Sequence, residues 1–143
     1  MKGQLEIFSR HVKTGKRDLM VRTPNLVLNG MYEQLIQLIS AGDPQAFVDR
    51  MQFGTGTLAP AASQQFLQRP ITPLKNVIAT VDAANYKVTF QASLLSDEAN
   101  GFPISEAGLL ASNDTVVARA IFSARAKTSD FVFDFNWIVT LKS

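Results

Sequence analysis

The clearest signal for the fold of this chain is the segment FVFDFNWIVTL at residues 131–141. Its odd-numbered positions are all apolar and include three phenylalanines and the single tryptophan, Trp137. Successive side chains of a strand point to opposite faces, so this alternation predicts a strand with one buried face. A shelf of aromatic rings for a ligand is the alternative, but Val139 and Leu141 continue the apolar stripe and favour core packing.

A second alternating stretch, YKVTFQASL at residues 86–94, carries its apolar side chains at the even-numbered positions. It predicts another long strand with one buried face, on which Tyr86 is expected to be buried. These two strands are expected to meet in a dry interior.

Shorter segments predict the remaining strands and turns. Gly15 can adopt the positive φ of a tight turn, so residues 5–12 and 18–21 are expected to form an N-terminal hairpin. Residues 104–111 and 115–123 predict a second hairpin, joined by Ser112-Asn113-Asp114. Residues 47–53 predict a short strand, and residues 71–81 predict a strand that Pro73 places at an edge or a bulge.

One segment has helical periodicity. Thr23 is a candidate N-cap with Pro24 at the first helical position, and Asn29 is a rival start. Gly42 suits a left-handed C-cap. The helix is expected to bury a stripe of Met31, Tyr32, Leu35, Ile36, Leu38 and Ile39, with Glu33, Gln34 and Gln37 facing away.

These elements predict a mainly β fold in one domain, residues 1–143. Strands separated by turn signals favour an antiparallel β-sandwich or a jelly-roll-like pair of sheets. One amphipathic α-helix near residues 24–41 is expected to close one end or one face.

Composition excludes several classes of protein. The 143 residues are 46% apolar and 18% charged, enough to bury a core and unlike a disordered tail. The net charge of +2 argues against nucleic acid as the main partner. The absence of cysteine excludes disulfides and thiolate metal sites. We recognise neither a signal peptide nor a segment suited to membrane insertion, which predicts a chain made in a cytoplasm.

Charge is uneven along the chain, because residues 1–22 hold six basic and two acidic side chains. One interpretation is a solvated basic hairpin. The other is a basic end that docks on an acidic neighbour, of the same chain or another.

The candidates for catalysis are few. His11 is the only histidine, so a catalytic triad would have to be built on a residue of the N-terminal hairpin, and an imidazole metal site would have no second histidine ligand. A surface role for His11 is therefore favoured. Asp97, Glu98 and Glu106 are close enough in sequence to suggest an acid/base pair. The alternative is a loop at residues 97–101 whose side chains cap turns or pair with Arg119 or Arg125.

The segment Phe53-Gly54-Thr55-Gly56-Thr57 is similar to half of a dinucleotide-binding fingerprint. It lacks the third glycine and the following helix, which favours a backbone twist or bulge. We therefore assign no catalytic, cofactor-binding or metal-binding residue, and we expect no enzyme activity and no cofactor.

Several motifs, in order, resemble a family of small structural proteins of tailed bacteriophages, found among tail, collar, baseplate and fibre-associated components. A helix after a Thr/Asn segment at 23–41 is followed by Phe53-Gly54-Thr55-Gly56 and the Ala/Pro-rich loop 58–62. Further on come residues 67–71, 98–110 and 117–120, and a terminal strand with Trp-Ile-Val-Thr at 137–140. Residues 63–67, Ser-Gln-Gln-Phe-Leu, depart from the Asp-Thr-x-Leu usual in the family.

The resemblance implies a non-enzymatic virion component that assembles as a homo-oligomer, a trimer or higher ring, and contacts other virion proteins in the tail, collar or baseplate. A capsid decoration protein is the nearest alternative. A receptor- or carbohydrate-binding module would need exposed aromatic rings, whereas Tyr32, Tyr86 and Trp137 are expected to be buried. A hydrolase using Glu98 and Glu106 is the remaining alternative. Free sheet edges pair readily between subunits. Because Pro73 would block such pairing on its own side of a strand, we expect the subunits to share an edge at the N-terminal hairpin.

Overall fold

The computed structural model describes residues 1–142 and is built mainly from nine strands. Its one α-helix, α1, is Asn29–Ala41, and two 3-10 turns lie at Pro44–Ala46 and Ala83–Asn85. The strands are β1 Lys2–His11, β2 Arg17–Val27, β3 Val48–Gly54, β4 Pro70–Asn76, β5 Ile78–Asp82, β6 Lys87–Leu94, β7 Pro103–Ala111, β8 Val116–Ala126 and β9 Phe131–Thr140.

All nine strands belong to one nearly closed antiparallel sheet in the order β4-β3-β7-β8-β2-β1-β9-β6-β5. The two halves of this sheet are joined where Leu26 and Val27 of β2 pair with β8. The predicted mainly β fold with a single helix is therefore confirmed, as are the hairpins β1–β2 and β7–β8.

The halves of the sheet fold over each other and enclose the core. Phe53 of β3 packs against Phe135 of β9 with ring centroids 4.5 Å apart. The apolar stripe of β9 is buried from Phe133 to Val139, as its alternation predicts. Leu141 is an exception, 53% exposed, because β9 ends one residue before it.

The two edges of the sheet are consecutive in sequence. β4 pairs only with β3 and β5 only with β6, and Val77 between them donates its N–H to the Asp49 carbonyl, 3.0 Å away. The strand predicted at residues 71–81 is thus two strands, broken at Val77, while Pro73 does lie in an edge strand. The N-terminal hairpin, where the sequence predicts a shared edge, lies between β8 and β9 in the strand order, although β8 pairs with β2 only at Leu26 and Val27.

The helix begins at Asn29 and not at Thr23, because Thr23 and Pro24 pair with β1 as part of β2. Its C-cap is Gly42 with a φ of 60°, as predicted. The predicted stripe is wrong in part: Ile39 is 85% exposed, whereas Gln34 is buried and accepts a hydrogen bond from Asn113 Nδ2 at 2.8 Å. The hydrogen bond from Asn113 satisfies the side-chain oxygen of Gln34, so this residue, which the sequence pattern predicts on the exposed face, is buried with that oxygen paired.

Both tyrosines are exposed, contrary to expectation. Tyr32 lies on the outer side of α1 and is 48% exposed. Tyr86 is 51% exposed and has a φ of 56°, since it ends the 3-10 turn before β6 instead of joining the strand. Trp137, by contrast, is completely buried.

Candidate functional site

A buried ion pair between Glu106 of β7 and Arg119 of β8 is the most elaborate polar arrangement in the described residues. Both side chains have 0% exposure. Arg119 approaches Glu106 Oε2 with Nε at 2.9 Å and Nη2 at 2.8 Å. The β7–β8 register brings the two together, because Arg119 lies opposite Gly108, two residues along β7 from Glu106. The sequence analysis suggested Arg119 as a partner for the loop at residues 97–101, whereas the structure pairs it with Glu106.

This ion pair holds the long loop between β3 and β4, residues 55–69. Glu106 accepts backbone N–H groups from Gly56 at 3.0 Å, Gln68 at 3.1 Å and Arg69 at 2.7 Å. Arg119 Nη1 donates to the carbonyl of Leu58 at 2.7 Å. One internal pair therefore fastens both ends of the loop, and we call the pair with these contacts the loop clamp.

Gly54, at the end of β3, and Gly56, within the loop, make room for the loop clamp. A Cβ on Gly54 would lie 2.4 Å from Glu106 Oε1 and 2.5 Å from the Arg69 carbonyl oxygen. A Cβ on Gly56 would lie 2.5 Å from the same Oε1. The Gly56 amide thus binds a carboxylate of the protein itself, and a loop follows it where a dinucleotide fold would have a helix.

We expect Gly54→Ala to destabilise the protein by about 1–3 kcal/mol, because the Arg69 backbone cannot move aside without breaking its bond to Glu106. The free energy of unfolding from urea titration measures this. Gly15→Asn is the control, since Gly15 is open to solvent and asparagine tolerates its left-handed backbone. An equal loss in both variants would contradict the close approach.

The pKa of Glu106 is lowered from its ordinary value. Burial by itself raises the pKa, but the amide of Arg69, the guanidinium of Arg119 and the amides of Gln68 and Gly56 favour the ionised form and together outweigh burial. A carboxylate with a lowered folded-state pKa stabilises the protein above its unfolded pKa, and this contribution disappears as pH falls.

We therefore expect the melting temperature to fall as pH drops below the ordinary glutamate pKa of 4.5. Glu98 and Asp134, whose pKa values are also lowered, contribute in the same direction. Calorimetry from neutral to acidic pH measures the slope. Glu106→Gln removes one titrating group, so an unchanged acid slope in that variant would contradict the assignment.

The carboxylates proposed as an acid/base pair have separate partners. Glu98 accepts from Lys75 Nζ at 2.8 Å and from the Leu95 amide at 2.8 Å, so it caps a turn as the alternative predicted. Asp97 is exposed, and Arg125 reaches the Met20 carbonyl and not a carboxylate. The structure does not bring Glu98 and Glu106 together at a common site.

His11 closes the N-terminal hairpin. Its Nδ1 accepts from the amides of Lys13 at 3.2 Å and Thr14 at 3.4 Å, and its ring meets Phe131 edge-on with centroids 5.3 Å apart. Within residues 1–142, no three His, Asp or Glu side chains are grouped as metal ligands would be.

Three of the six basic side chains in residues 1–22 form ion pairs within the chain. Arg10 and Arg17 lie 3.1 and 3.5 Å from Asp134 Oδ2, and Arg22 lies 2.6 Å from Glu6. Docking on an acidic neighbour of the same chain accounts for these three arginines. Arg17 also stacks on Phe8, with the guanidinium carbon 3.8 Å from the ring centroid.

Lys127 is a buried residue that the sequence analysis missed. Its Nζ lies 3.2 Å from the carbonyls of Ser96 and Phe131 and also contacts Asn100 Oδ1. Burial lowers its pKa, against the attraction of nearby Glu98 and Asp97. A lysine in a polar stretch is ordinarily taken as solvated, so no local pattern reveals this role.

An apolar groove of about 370 Å³ opens between α1 and the β5 end of the sheet. Leu35 and Leu38 line it on the helix side, Phe47 at its base, and Ala79 and Val88 on the sheet side. No residue lining this groove is charged.

Comparison with known proteins yields no match to a family model, a curated protein or a solved structure. As for membrane crossing, none of the helices in the described part of the chain combines the length and apolarity that a bilayer span needs.

Proposed function

We propose that this chain is a non-enzymatic structural component of a tailed-bacteriophage particle, assembling as a homo-oligomer in the tail, collar or baseplate. The observation that carries the proposal is where the motifs of the resemblance lie. Parts of these motifs, residues 53–56, 67–70, 106–110 and 117–120, are far apart in sequence, yet they reach the loop clamp or flank it. Their proximity in the fold supports the proposal that they belong to one structural unit.

The chemistry of the loop clamp suits a scaffold. Glu106 is saturated by amides and a guanidinium, and it is sealed from solvent, so it has no access to a substrate. What it does is hold a surface loop whose tip carries Leu58, 60% exposed, and Phe66, 74% exposed. Exposed apolar side chains on a rigid platform are typical of protein–protein contacts.

The proposal is tested by finding the chain in purified phage particles. Quantitative mass spectrometry gives its copy number, and electron microscopy of particles carrying a tagged chain gives its position. A small, symmetric set of copies around the tail axis is expected. Many copies spread over the capsid would instead identify a decoration protein, and absence from particles would overturn the proposal altogether.

A further inference from the structure

The core-facing side of β5 is open to solvent. The strand register sets Ala79 opposite Phe90 and Val81 opposite Val88 of β6, and directly opposed residues lie on the same face of a sheet. Phe90 belongs to the buried core, whereas Ala79 is exposed and Val81 is 73% exposed. The apolar face that forms the core therefore continues onto β5 beyond the region that the rest of the chain covers.

The helix α1 leaves this face open because it packs elsewhere. Its main contacts are with β8 and with the 3-10 turn at Pro44–Ala46. Residues spaced three and four apart lie on one side of a helix, and four such residues form the helix wall of the apolar groove: Met31, Gln34, Leu35 and Leu38. The groove is thus a gap between two surfaces that both continue into the core, at Met31 and at Phe90.

Gln34 is the one polar residue that lines this groove. It is 3% exposed, and its Oε1 accepts a hydrogen bond from Asn113 Nδ2 at 2.8 Å. Within residues 1–142, its Nε2 donates no hydrogen bond. A buried amide N–H without an acceptor costs free energy, so such groups are ordinarily paired with protein, water or ligand. The Gln34 Nε2 is therefore a donor for a molecule that occupies the groove.

We propose that the groove binds a small, uncharged molecule with an apolar body and a hydrogen-bond acceptor, such as a ketone, an ester or an amide. The apolar body lies between Leu35 and Val88, and the acceptor oxygen receives the N–H of Gln34 Nε2. Ligand sites typically have volumes of about 300–1,000 Å³, apolar walls and a few polar groups, as this groove of about 370 Å³ does. Because an apolar cavity of about 150 Å³ accommodates benzene, the groove has room for a ring with a short chain.

The walls of the groove disfavour other kinds of ligand. No lining residue is charged, so a carboxylate or an ammonium group inside would lose its hydration without gaining a counter-ion. A hydrocarbon would pack against the apolar walls but leave the Gln34 Nε2 unpaired. The lining therefore selects a neutral molecule with an acceptor. Such a site goes beyond the proposed function and does not depend on where the chain is located.

Two probes that differ only in the acceptor test the site. Benzylacetone carries a ketone oxygen on its four-carbon chain, and butylbenzene has the same ring and chain length without the oxygen. Titration of the ¹⁵N-labelled protein with benzylacetone is expected to shift the ¹H–¹⁵N signals of α1 and β6 to saturation. The side-chain amide signals of Gln34 are expected to shift with benzylacetone and not with butylbenzene. No saturable shift with benzylacetone up to its solubility limit would overturn the proposal.

Variants separate the amide from the apolar walls. Gln34→Met keeps the length of the side chain without the N–H, so benzylacetone is expected to bind about fivefold more weakly, and butylbenzene at least as well as before. Ala79→Phe fills the groove from an exposed position and is expected to abolish binding of both probes. Ala126→Phe is the matched control, because it adds the same ring at an exposed alanine at the far end of β8 from the helix.

The outcomes that contradict the site are distinct. Unchanged affinity in Ala79→Phe, or an equal loss in Ala126→Phe, would overturn binding in the groove, and equal weakening of both probes in Gln34→Met would overturn the contact with the amide. Signals of α1 and β6 that shift on dilution without any probe would show that a second copy of the chain occupies the groove, which also overturns the proposal. Signals that are independent of protein concentration, with benzylacetone shifts lost only in Ala79→Phe and weakened in Gln34→Met, support it.

Discussion

Trp137→Asp is expected to prevent folding altogether. Trp137 is completely buried in β9 between Leu5 of β1 and Phe90 of β6, and its Nε1 donates to Asn25 Oδ1 at 3.0 Å. A carboxylate there has no cation to pair with and leaves a cavity where the indole was. Burying an unpaired charge costs several kcal/mol, against a total stability of about 5–15 kcal/mol for a domain.

Circular dichroism and urea titration measure this effect. Phe133→Asp, on the same face of β9, is expected to behave in the same way. Thr140→Asp is the matched control, since that side chain lies on the opposite face of β9, between Lys2 and Lys87, and a negative charge there has cations on both sides. A soluble Trp137→Asp protein with a cooperative unfolding transition would contradict the packed stripe on which the fold depends.

Glu106→Ala is expected to have the next largest effect, a loss of about 3–5 kcal/mol in the free energy of unfolding. The substitution leaves the Arg119 guanidinium buried without its counter-ion. It also removes the acceptor for three backbone amides, those of Gly56, Gln68 and Arg69. Buried donors without partners each add a desolvation cost.

The control for Glu106→Ala is Glu6→Ala, which breaks the more exposed pair with Arg22 and is expected to cost at most about 1 kcal/mol. Hydrogen exchange gives a local readout, because residues 55–69 should lose protection before the rest of the sheet. Equal losses in the two variants, with an unchanged loop, would show that the loop clamp does not hold residues 55–69.

The strands were predictable because their signal is local. A strand with one buried face alternates apolar and polar side chains whatever strands lie beside it, and both β6 and β9 show this period of two residues. The sequence left the helix start open between Thr23 and Asn29. The structure has it at Asn29, because Thr23 and Pro24 satisfy the rules for a cap but pair with β1 in the folded chain. Tertiary pairing overrode a correct local preference.

The loop clamp was predictable only in part. The sequence singled out both Glu106 and Arg119, but it suggested a partner for Arg119 in the loop at residues 97–101 and not Glu106. The amides of Gln68 and Arg69 gave no signal, because backbone groups are the same in every residue. Lys127 was missed for a related reason: its acceptors are mostly carbonyls that only the folded loops bring together.

Residues 55–69 owe most of their hold on Glu106 and Arg119 to main-chain atoms, which any sequence supplies. Ser63, Gln65 and Phe66 point outward from a frame that is set from within. That segment is also where the chain departs from the bacteriophage pattern. The exposed positions of such a loop can be changed one at a time, by selection or by a designer seeking a display platform, while Gly56, Leu67 and the interior of the sheet keep the geometry.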